Sequence, residues 1–303
     1  MTRLNEVLLC LTTRDNDYQK QQAMDAERAA LSLGVKLTIV DAGNDAINQS
    51  QILLSAIQTK GKRPDAIIFE PVSGTGLPHV ARAAVDAGIS WVILNRELSY
   101  INELKPAATC FVFGFGSNHA EIGRIQAAQV AALVPEGGDV LLIEGPSDNL
   151  AARQRTDGFL EKKPVKITLK QLKGKWSEDS GYQAISSWLR LSTSHQMNVR
   201  AVVAQNDDMA MGARKAFEEV SSSAEREKWL KTPFLGVDGL PNTGQVWVKS
   251  GKLTATVFVP ANSGVALRAL ADAVGGGARP PQYTYTSPLS MPEMSKLNSL
   301  SNR

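Results

Sequence analysis

The chain has 303 residues, which is long enough for two domains with sizeable cores, and its composition is that of a soluble globular protein. Its 33 basic and 30 acidic residues leave a net charge of +3, and no basic run interleaved with aromatic residues suggests a nucleic-acid partner. No apolar run reaches the roughly 20 residues of a membrane span, and the first 15 residues show no signal-peptide pattern.

The first part of the chain alternates short apolar runs with helical stretches of a dozen residues or more. Apolar runs without polar alternation are typical of strands buried on both faces of a parallel sheet. Gly34 and Gly88 end two of the helices, as glycine commonly does. We predict, in chain order, strand 7–12, helix 18–33, strand 35–40, helix 46–60, strand 65–69, helix 77–87 and strand 91–94.

The pattern changes at residues 110–116, where we predict a strand broken by two glycines and a crossover to a second series, with Ser117 capping the next helix. Residues 283–287 form a candidate last strand, and the tail beyond Pro288 is predicted to lie on the surface with partial order. The second series is predicted as helix 118–134, strand 139–143, a helix from 150, strand 165–172, helix 179–191, strand 201–204, a helix from 207, strands 233–237 and 253–259, and helix 263–274.

These two series predict an α/β fold of two doubly wound parallel-sheet lobes. In such sheets ligands bind beyond the carboxyl ends of the strands, and Gln205, Asn206 and Asp207 follow a buried strand directly. One of the two acids, Asp207 or Asp208, is expected to cap the helix that follows. Asn206 is expected to contact a ligand, because an amide both donates and accepts hydrogen bonds.

Polar or aromatic side chains recur at the strand ends. Hydroxyl-rich ligands are held by such a mixture of carboxylates, amides, guanidinium groups and aromatic faces. Each residue also has a structural interpretation: an arginine in an ion pair, a tryptophan in the core, or an Asp-Gly turn. The candidate ligand-binding residues are Asp17, Tyr18, Glu70, Asn95, Arg96, Arg155, Trp176, Asn206 and Asp238.

Motifs for catalysis, metals and cofactors are missing from the sequence. It has no complete dinucleotide fingerprint, phosphate-binding loop or Gly-x-Ser-x-Gly elbow, and its three histidines lack metal-ligand spacing. We therefore expect no catalytic residue, no metal and no cofactor. Cys10 and Cys110 lie in apolar runs and are expected to be buried free thiols, a disulfide between them being the less favoured alternative.

Three segments carry a family resemblance over nearly the whole chain. These are residues 151–159 (AARQRTDGF), 204–213 (AQNDDMAMGA) and 235–239 (LGVDG). They resemble the type I periplasmic binding proteins, in particular the ribose-binding-protein-like group that serves sugar ABC transporters. The resemblance implies two lobes joined by three hinge crossovers, residues 1–115 with 260–283 and residues 116–259 with 284–303, which close on a ligand.

The resemblance also implies site roles. Asn95 and Arg96 stand where sugar binders usually have an Asp-Arg pair, and Trp176 stands where an aromatic ring stacks on the sugar. Arg155, Asn206 and Asp238 are implied as polar contacts, and Tyr18 lies near the usual aromatic pair.

Several positions depart from the pattern of the family. Gln19 replaces the second ring of the aromatic pair, Val259 stands where a Gln is common, Asn95 replaces a carboxylate, and Glu70 lies where Asn is frequent. The ligand is therefore open among ribose, another monosaccharide, a modified sugar, a polyol and a different small polar molecule.

The function implied is a non-catalytic, monomeric, periplasmic solute receptor that delivers a small polar ligand, foremost a monosaccharide, to an ABC permease. One alternative is the effector-binding core of a LacI-like regulator, which would need a DNA-binding helix-turn-helix before the first strand near Val7. A receptor that passes a non-sugar ligand to a sensor is another. An enzyme would need an acid-base pair or a cofactor loop, neither of which we identify.

Overall fold

The computed structural model describes residues 3–74, 76–104, 106–107 and 109–300, except for the side chains of residues 195, 299 and 300. The strands are β1 Glu6–Leu11, β2 Lys36–Asp41, β3 Ala66–Phe69, β4 Ser90–Leu94, β5 Val112–Ser117, β6 Gly138–Glu144, β7 Ile167–Lys173, β8 Val199–Ala204, β9 Phe234–Asp238, β10 Ala255–Phe258, β11 Tyr283–Thr286 and β12 Leu289–Met291. The helices are α1 Asp17–Leu33, α2 Ala46–Gln58, α3 Pro78–Asp86, α4 His119–Leu133, α5 Leu150–Lys162, α6 Glu178–Leu189, α7 Asp207–Glu218, α8 Ser223–Leu230, α9 Gly244–Lys249, α10 Ser263–Val274 and α11 Met294–Leu300.

The chain forms two compact units, here called unit 1 and unit 2. Unit 1 is Met1–Ser117 with Ala261–Thr286, and unit 2 is Asn118–Pro260 with Ser287–Arg303. Each contains a six-stranded sheet, ordered β11-β5-β4-β3-β1-β2 in unit 1 and β12-β10-β9-β8-β6-β7 in unit 2. Paired strands are parallel except β10 and β12. The predicted fold class is confirmed.

The chain passes between the units three times, after Ser117, Pro260 and Thr286. The largest difference from the predicted boundaries is at the third passage, 286 instead of 283. The reason is that β11 pairs with β5 from Tyr283, opposite Gly114, to Thr286, so these residues belong to the sheet of unit 1.

Each sheet is covered by helices on both faces, which explains why central strands such as β3 and β4 are buried along their whole length. In unit 1, α1 and α10 pack on one face with buried residues such as Ala29 and Leu267, and α2 and α3 pack on the other with residues such as Leu53 and Val80. In unit 2, α6, α7 and α8 cover one face, and α4, α5 and α11 cover the other. Burying a side chain such as Leu53 contributes roughly 1.5–3 kcal/mol to the free energy of unfolding.

The prediction of a broken strand at residues 110–116 is wrong. β5 runs through both glycines to Ser117, because its pairing with β4 continues past Gly114 to Phe115 and its pairing with β11 continues past both glycines. Ser117 is therefore a strand residue and not the cap of α4. Asn118 takes that role, since its side-chain oxygen accepts a hydrogen bond from the backbone N–H of Glu121 at 3.0 Å.

The tail is also more ordered than predicted. β12 pairs antiparallel with β10, and Leu297 of α11 is fully buried against the α4 side of unit 2. A strand of three residues and a helix of seven give too few positions for a periodicity to be recognised. The short helices α8 and α9 escaped prediction for the same reason.

Both cysteines are free and buried, as predicted. Burial raises the pKa of the Cys10 thiol to about 11 and also raises that of Cys110, so both are protonated at neutral pH. Among the described residues, no helix combines the length and the apolar character that crossing a membrane requires.

Candidate functional site

The carboxyl ends of β3 and β4 bring three of the candidate residues of unit 1 together. Glu70 follows β3 and Asn95 follows β4, and the Nδ2 of Asn95 donates to Oε2 of Glu70 at 2.9 Å. Tyr18, in the first turn of α1, donates from its hydroxyl to Oδ1 of Asn95 at 3.4 Å. α1 is capped by Asn16 and follows β1 after a short loop, so its first turn also lies at this edge of the sheet.

The two other candidates of unit 1 lie beside this cluster in the sequence but differ in their contacts. Arg96 directly follows Asn95 and is half-buried. Asp17 forms an ion pair with Lys20 on the surface of α1, with 2.9 Å between its Oδ1 and the lysine Nζ. The carboxylate of Asp17 therefore serves the helix itself, which is the role that an acid in the first turn commonly has.

Arg155 of unit 2 is held in a buried position on α5. Its Nη1 donates to the backbone carbonyl of Gln205, and only 7% of the residue is exposed. α5 can lie close to α4 because Gly123 and Gly158 face the backbone of the opposite helix and leave no room for a Cβ. The helix crossing thus fixes the point from which the Arg155 side chain extends.

Trp176 lies in the loop between β7 and α6, next to Arg155. The guanidinium carbon of Arg155 is 5.4 Å from the centroid of the indole ring, a distance at which a cation–π interaction is favourable. The ring is half-buried and lies against Gly145, which follows β6. Trp176 therefore packs against one candidate residue and keeps part of its ring exposed.

The roles predicted for Asn206, Asp207 and Asp208 are wrong in one respect, which is the identity of the residue that caps α7. Asn206 itself caps α7, since its Oδ1 accepts from the backbone N–H of Met209 at 2.9 Å. Its Nδ2 donates to the backbone carbonyl of Trp176 at 3.0 Å. Asparagine is as good a cap as aspartate, so the sequence left the choice open. A solute contact by Asn206 stays a prediction, and it would use the second N–H of the amide.

Asp207, which the sequence suggested as a cap, is a buried clamp. Its Oδ2 accepts from the backbone N–H of Gly239 at 2.8 Å, and its Oδ1 accepts from the hydroxyl of Thr256 at 2.6 Å. Burial raises the pKa of the Asp207 carboxyl well above its ordinary value, and the charge of Asp238 raises it further. Asp238 itself ends β9 directly before the clamped Gly239.

A buried polar network next to Arg155 was not predicted from the sequence. Gln205 accepts from the N–H of Gly145 at 2.9 Å and donates to Thr156 at 2.8 Å, and Thr156 donates to Glu144 at 2.8 Å. Lys173 forms an ion pair with the same buried carboxylate. The position of Gln205 and Glu144 at strand ends was visible in the sequence, but their direction into the unit was not.

Three of the candidate residues have a backbone conformation that is uncommon for residues other than glycine. Among the described residues, the non-glycine residues with positive φ are Asn44, Leu77, Asn95, Trp176 and Asp238. Such conformations cost free energy and cluster at functional sites. Asn95, Trp176 and Asp238 have φ values of 59°, 65° and 105°, respectively.

No group of three or more His, Cys, Asp or Glu residues in the described part of the chain is placed to hold a metal ion. The chemistry available at the strand ends is hydrogen bonding by carboxylates, amides and guanidinium groups beside aromatic rings.

Comparisons with known proteins agree on one family. Residues 7–278 match the family model described as periplasmic binding protein domain. The D-allose-binding periplasmic protein of Escherichia coli K12 is 27% identical over 278 residues, which cover 90% of this chain and 85% of that protein. A candidate rhizopine-binding protein of Rhizobium meliloti is 32% identical over 198 residues, and the match spans 63% of this chain and 60% of that protein.

A solved structure shares the fold along nearly the whole chain. It is a periplasmic solute-binding protein of an ABC transporter from Actinobacillus succinogenes 130z with bound D-allose. The TM-score is 0.80 at 22% identity, and the match covers 97% of this chain and 99% of the other.

Proposed function

This chain belongs to the periplasmic binding protein domain family, and on that premise we propose that it is a non-catalytic receptor for a small polyhydroxylated solute. Monosaccharides are the class of solute that we propose first, and an ABC permease is the proposed partner that takes up the solute. The observation that carries the proposal is the polar cluster at the strand carboxyl ends of each unit, with Glu70 and Asn95 in unit 1 and Arg155 and Trp176 in unit 2.

The chemistry of these clusters suits a sugar or a polyol. Each hydroxyl group of such a solute both donates and accepts, so it needs acceptors such as the Glu70 carboxylate and donors such as the Arg155 guanidinium. The exposed part of the Trp176 ring offers an apolar face to the C–H groups of a sugar ring. Relatives that bind D-allose support this class of solute.

The remaining parts of the proposal follow from the family. We propose a periplasmic location, a monomeric state and closure of the two units on the solute about the three chain passages. The relatives in the comparisons are named as binding proteins, which supports the proposal that the chain has no catalytic activity.

The test is a thermal-shift screen of the purified protein against pentoses, hexoses, cyclitols, amino acids and nucleosides. A solute at about 100 times its dissociation constant stabilises the folded protein by roughly 2.7 kcal/mol, which gives a clear upward shift of the unfolding midpoint. We expect a shift with one class of sugar or polyol, and D-allose is the first to test. The bound solute should be recovered unchanged after long incubation. A shift with amino acids or nucleosides alone, or turnover of the solute, would contradict the proposal.

Replacing Trp176 with alanine is expected to weaken binding of that solute about 10-fold. The change removes the aromatic face and the group that packs on Arg155, and aromatic contacts of this kind contribute about 1 kcal/mol or more. Isothermal titration calorimetry measures the affinity. Trp247→Ala is the matched control, since it removes another half-buried indole of unit 2, on α9. Equal loss of affinity in both variants would show that Trp176 acts only through folding.

A further inference from the structure

In unit 1, two hydrogen-bonded chains of amide side chains end at the same oxygen of Glu70. Oε2 of Glu70 accepts from Nδ2 of Asn95 at 2.9 Å and from Nε2 of Gln19 at 2.8 Å. Amide oxygens and nitrogens are nearly indistinguishable by shape, so each orientation has to be justified by its partners. Here both chains begin at backbone N–H groups, which can only donate, and this settles every amide in turn.

The longer chain, here called the amide relay, consists of Gln22, Asn262 and Asn95. Oε1 of Gln22 accepts from the backbone N–H groups of Asn262 and Ser263 at 3.0 and 2.9 Å, so that Gln22 on α1 caps the start of α10. Its Nε2 must then donate, and it does so to Oδ1 of Asn262 at 2.8 Å. Nδ2 of Asn262 in turn donates to Oδ1 of Asn95 at 2.6 Å. The relay therefore leaves Asn95 to present its Nδ2 to Glu70.

The shorter chain reaches the same oxygen independently. The backbone N–H of Thr12 donates to Oε1 of Gln19 at 3.4 Å, so the Nε2 of Gln19 faces Glu70 as a donor. Gln19, Gln22, Asn95 and Asn262 are all buried, and an unsatisfied amide donor in such a place costs roughly 1–3 kcal/mol. Position 70 has to supply an acceptor to both donors.

We propose that the amide relay makes Glu70 the obligatory hydrogen-bond acceptor of unit 1, and that its second oxygen, Oε1, accepts a hydroxyl or ammonium group of the solute. Asn95 is on this view a positioning residue, because both ends of its amide serve Asn262 and Glu70. Gln22 and Asn262 are positioning residues that the sequence analysis did not identify. The part concerning the solute rests on the proposed function, whereas the part concerning the relay does not.

A solute that brings a carboxylate or a phosphate to Glu70 is disfavoured by like-charge repulsion. Neutral sugars, polyols and amino sugars satisfy the donor requirement. Uronic acids and sugar phosphates do not satisfy it when their acid group lies against Glu70.

Three variants test the proposal. Glu70→Gln keeps one oxygen, which accepts from both amide donors, and turns the other atom from an acceptor into a donor. Asn95→Asp replaces the Nδ2 donor of Asn95, which the amide relay directs at Glu70, with a carboxylate oxygen. Two carboxylates then face each other. Asn102→Asp is the matched control, since it adds the same charge to an exposed residue of unit 1 whose oxygen already accepts from Gln282.

The first measurement is the unfolding midpoint without solute. We expect Asn95→Asp to lower it by roughly 5–10 °C at pH 7.5, with Glu70→Gln and Asn102→Asp within about 2 °C of the wild type. If Asn95→Asp unfolds at the same temperature as Asn102→Asp, the amide relay does not fix position 70 and the proposal is wrong. This result does not depend on whether any solute binds.

The second measurement is calorimetric titration with D-allose, or with whichever solute of the screen stabilises the wild type most. We expect Glu70→Gln to weaken the affinity about 100-fold while the midpoint is kept. Unchanged affinity would overturn the assignment of Glu70 as the acceptor for the solute. If the wild type binds no solute of the screen, the proposed function fails, and the unfolding midpoints alone decide on the relay.

Discussion

Replacing Arg155 with alanine is expected to weaken solute binding about 100-fold or more, the largest loss we expect from a single substitution in unit 2. The guanidinium is buried between the carbonyl of Gln205 and the ring of Trp176, so its position is fixed before any solute arrives. A hydrogen bond to a charged group contributes roughly 1.5–3 kcal/mol, and a solute oxygen left without its donor adds a desolvation cost. Titration calorimetry with the best solute of the screen measures the effect.

Two further variants separate the possible causes. Arg153→Ala removes an exposed arginine of the same helix and should leave the affinity unchanged. Arg155→Lys keeps the charge but loses the planar fork, and an intermediate affinity is expected because lysine cannot donate in two parallel directions. Circular dichroism of each variant checks that unit 2 is folded. If folded Arg155→Ala binds as tightly as Arg153→Ala, Arg155 does not contact the solute.

The fold was predictable because the central strands of its sheets are buried on both faces. A run such as residues 66–69 has no polar position at all, and only a sheet covered on two sides requires that. The errors occurred where the decisive contact is distant in sequence. β5 continues through its glycines because β11, far along the chain, pairs with it, and Leu297 is buried by contacts with elements that no local pattern reveals.

The candidate site was predictable as a set of positions but not as a set of roles. Strand ends in a parallel sheet meet at one edge, so Glu70 and Asn95 could be expected to be neighbours. Whether an amide faces a solute or the protein depends on its partners, and one partner of Asn95 is Asn262, which lies 167 residues away in sequence. For the same reason the cap of α7 was assigned to the wrong residue: Asn206 caps the helix, and the groups that Asp207 holds come from β10 and from the loop after β9.

Asp207 gives rise to the prediction with the largest expected effect on stability. Burial first, and the charge of Asp238 second, raise the pKa of its carboxyl well above the ordinary value. A raised pKa means that the folded protein holds this proton more tightly than the unfolded chain, whose aspartate has a pKa of about 3.9. The contribution of Asp207 to the free energy of unfolding is therefore largest below about pH 4, and it is lost progressively as the pH rises towards the folded-state pKa.

Asp207→Asn removes this dependence and keeps the clamp. The amide oxygen accepts from Gly239 and the amide nitrogen donates to the hydroxyl of Thr256, which can rotate to accept. The stability of Asp207→Asn relative to the wild type should therefore increase by about 1.4 kcal/mol for each pH unit above about pH 4, until the folded-state pKa is reached.

Urea unfolding of both proteins at pH 4, 5, 6 and 7 measures this slope. Tryptophan fluorescence is a suitable probe, because Trp176, Trp188, Trp229 and Trp247 lie in unit 2 and only Trp91 lies in unit 1. Asp157→Asn removes an exposed carboxylate of the same unit and is the matched control. If the stability difference of Asp207→Asn changes with pH no more than that of Asp157→Asn, the buried carboxyl is not protonated in the folded protein. Because the asparagine still holds Gly239, and with it the backbone of Asp238, solute affinity should be kept while the stability changes.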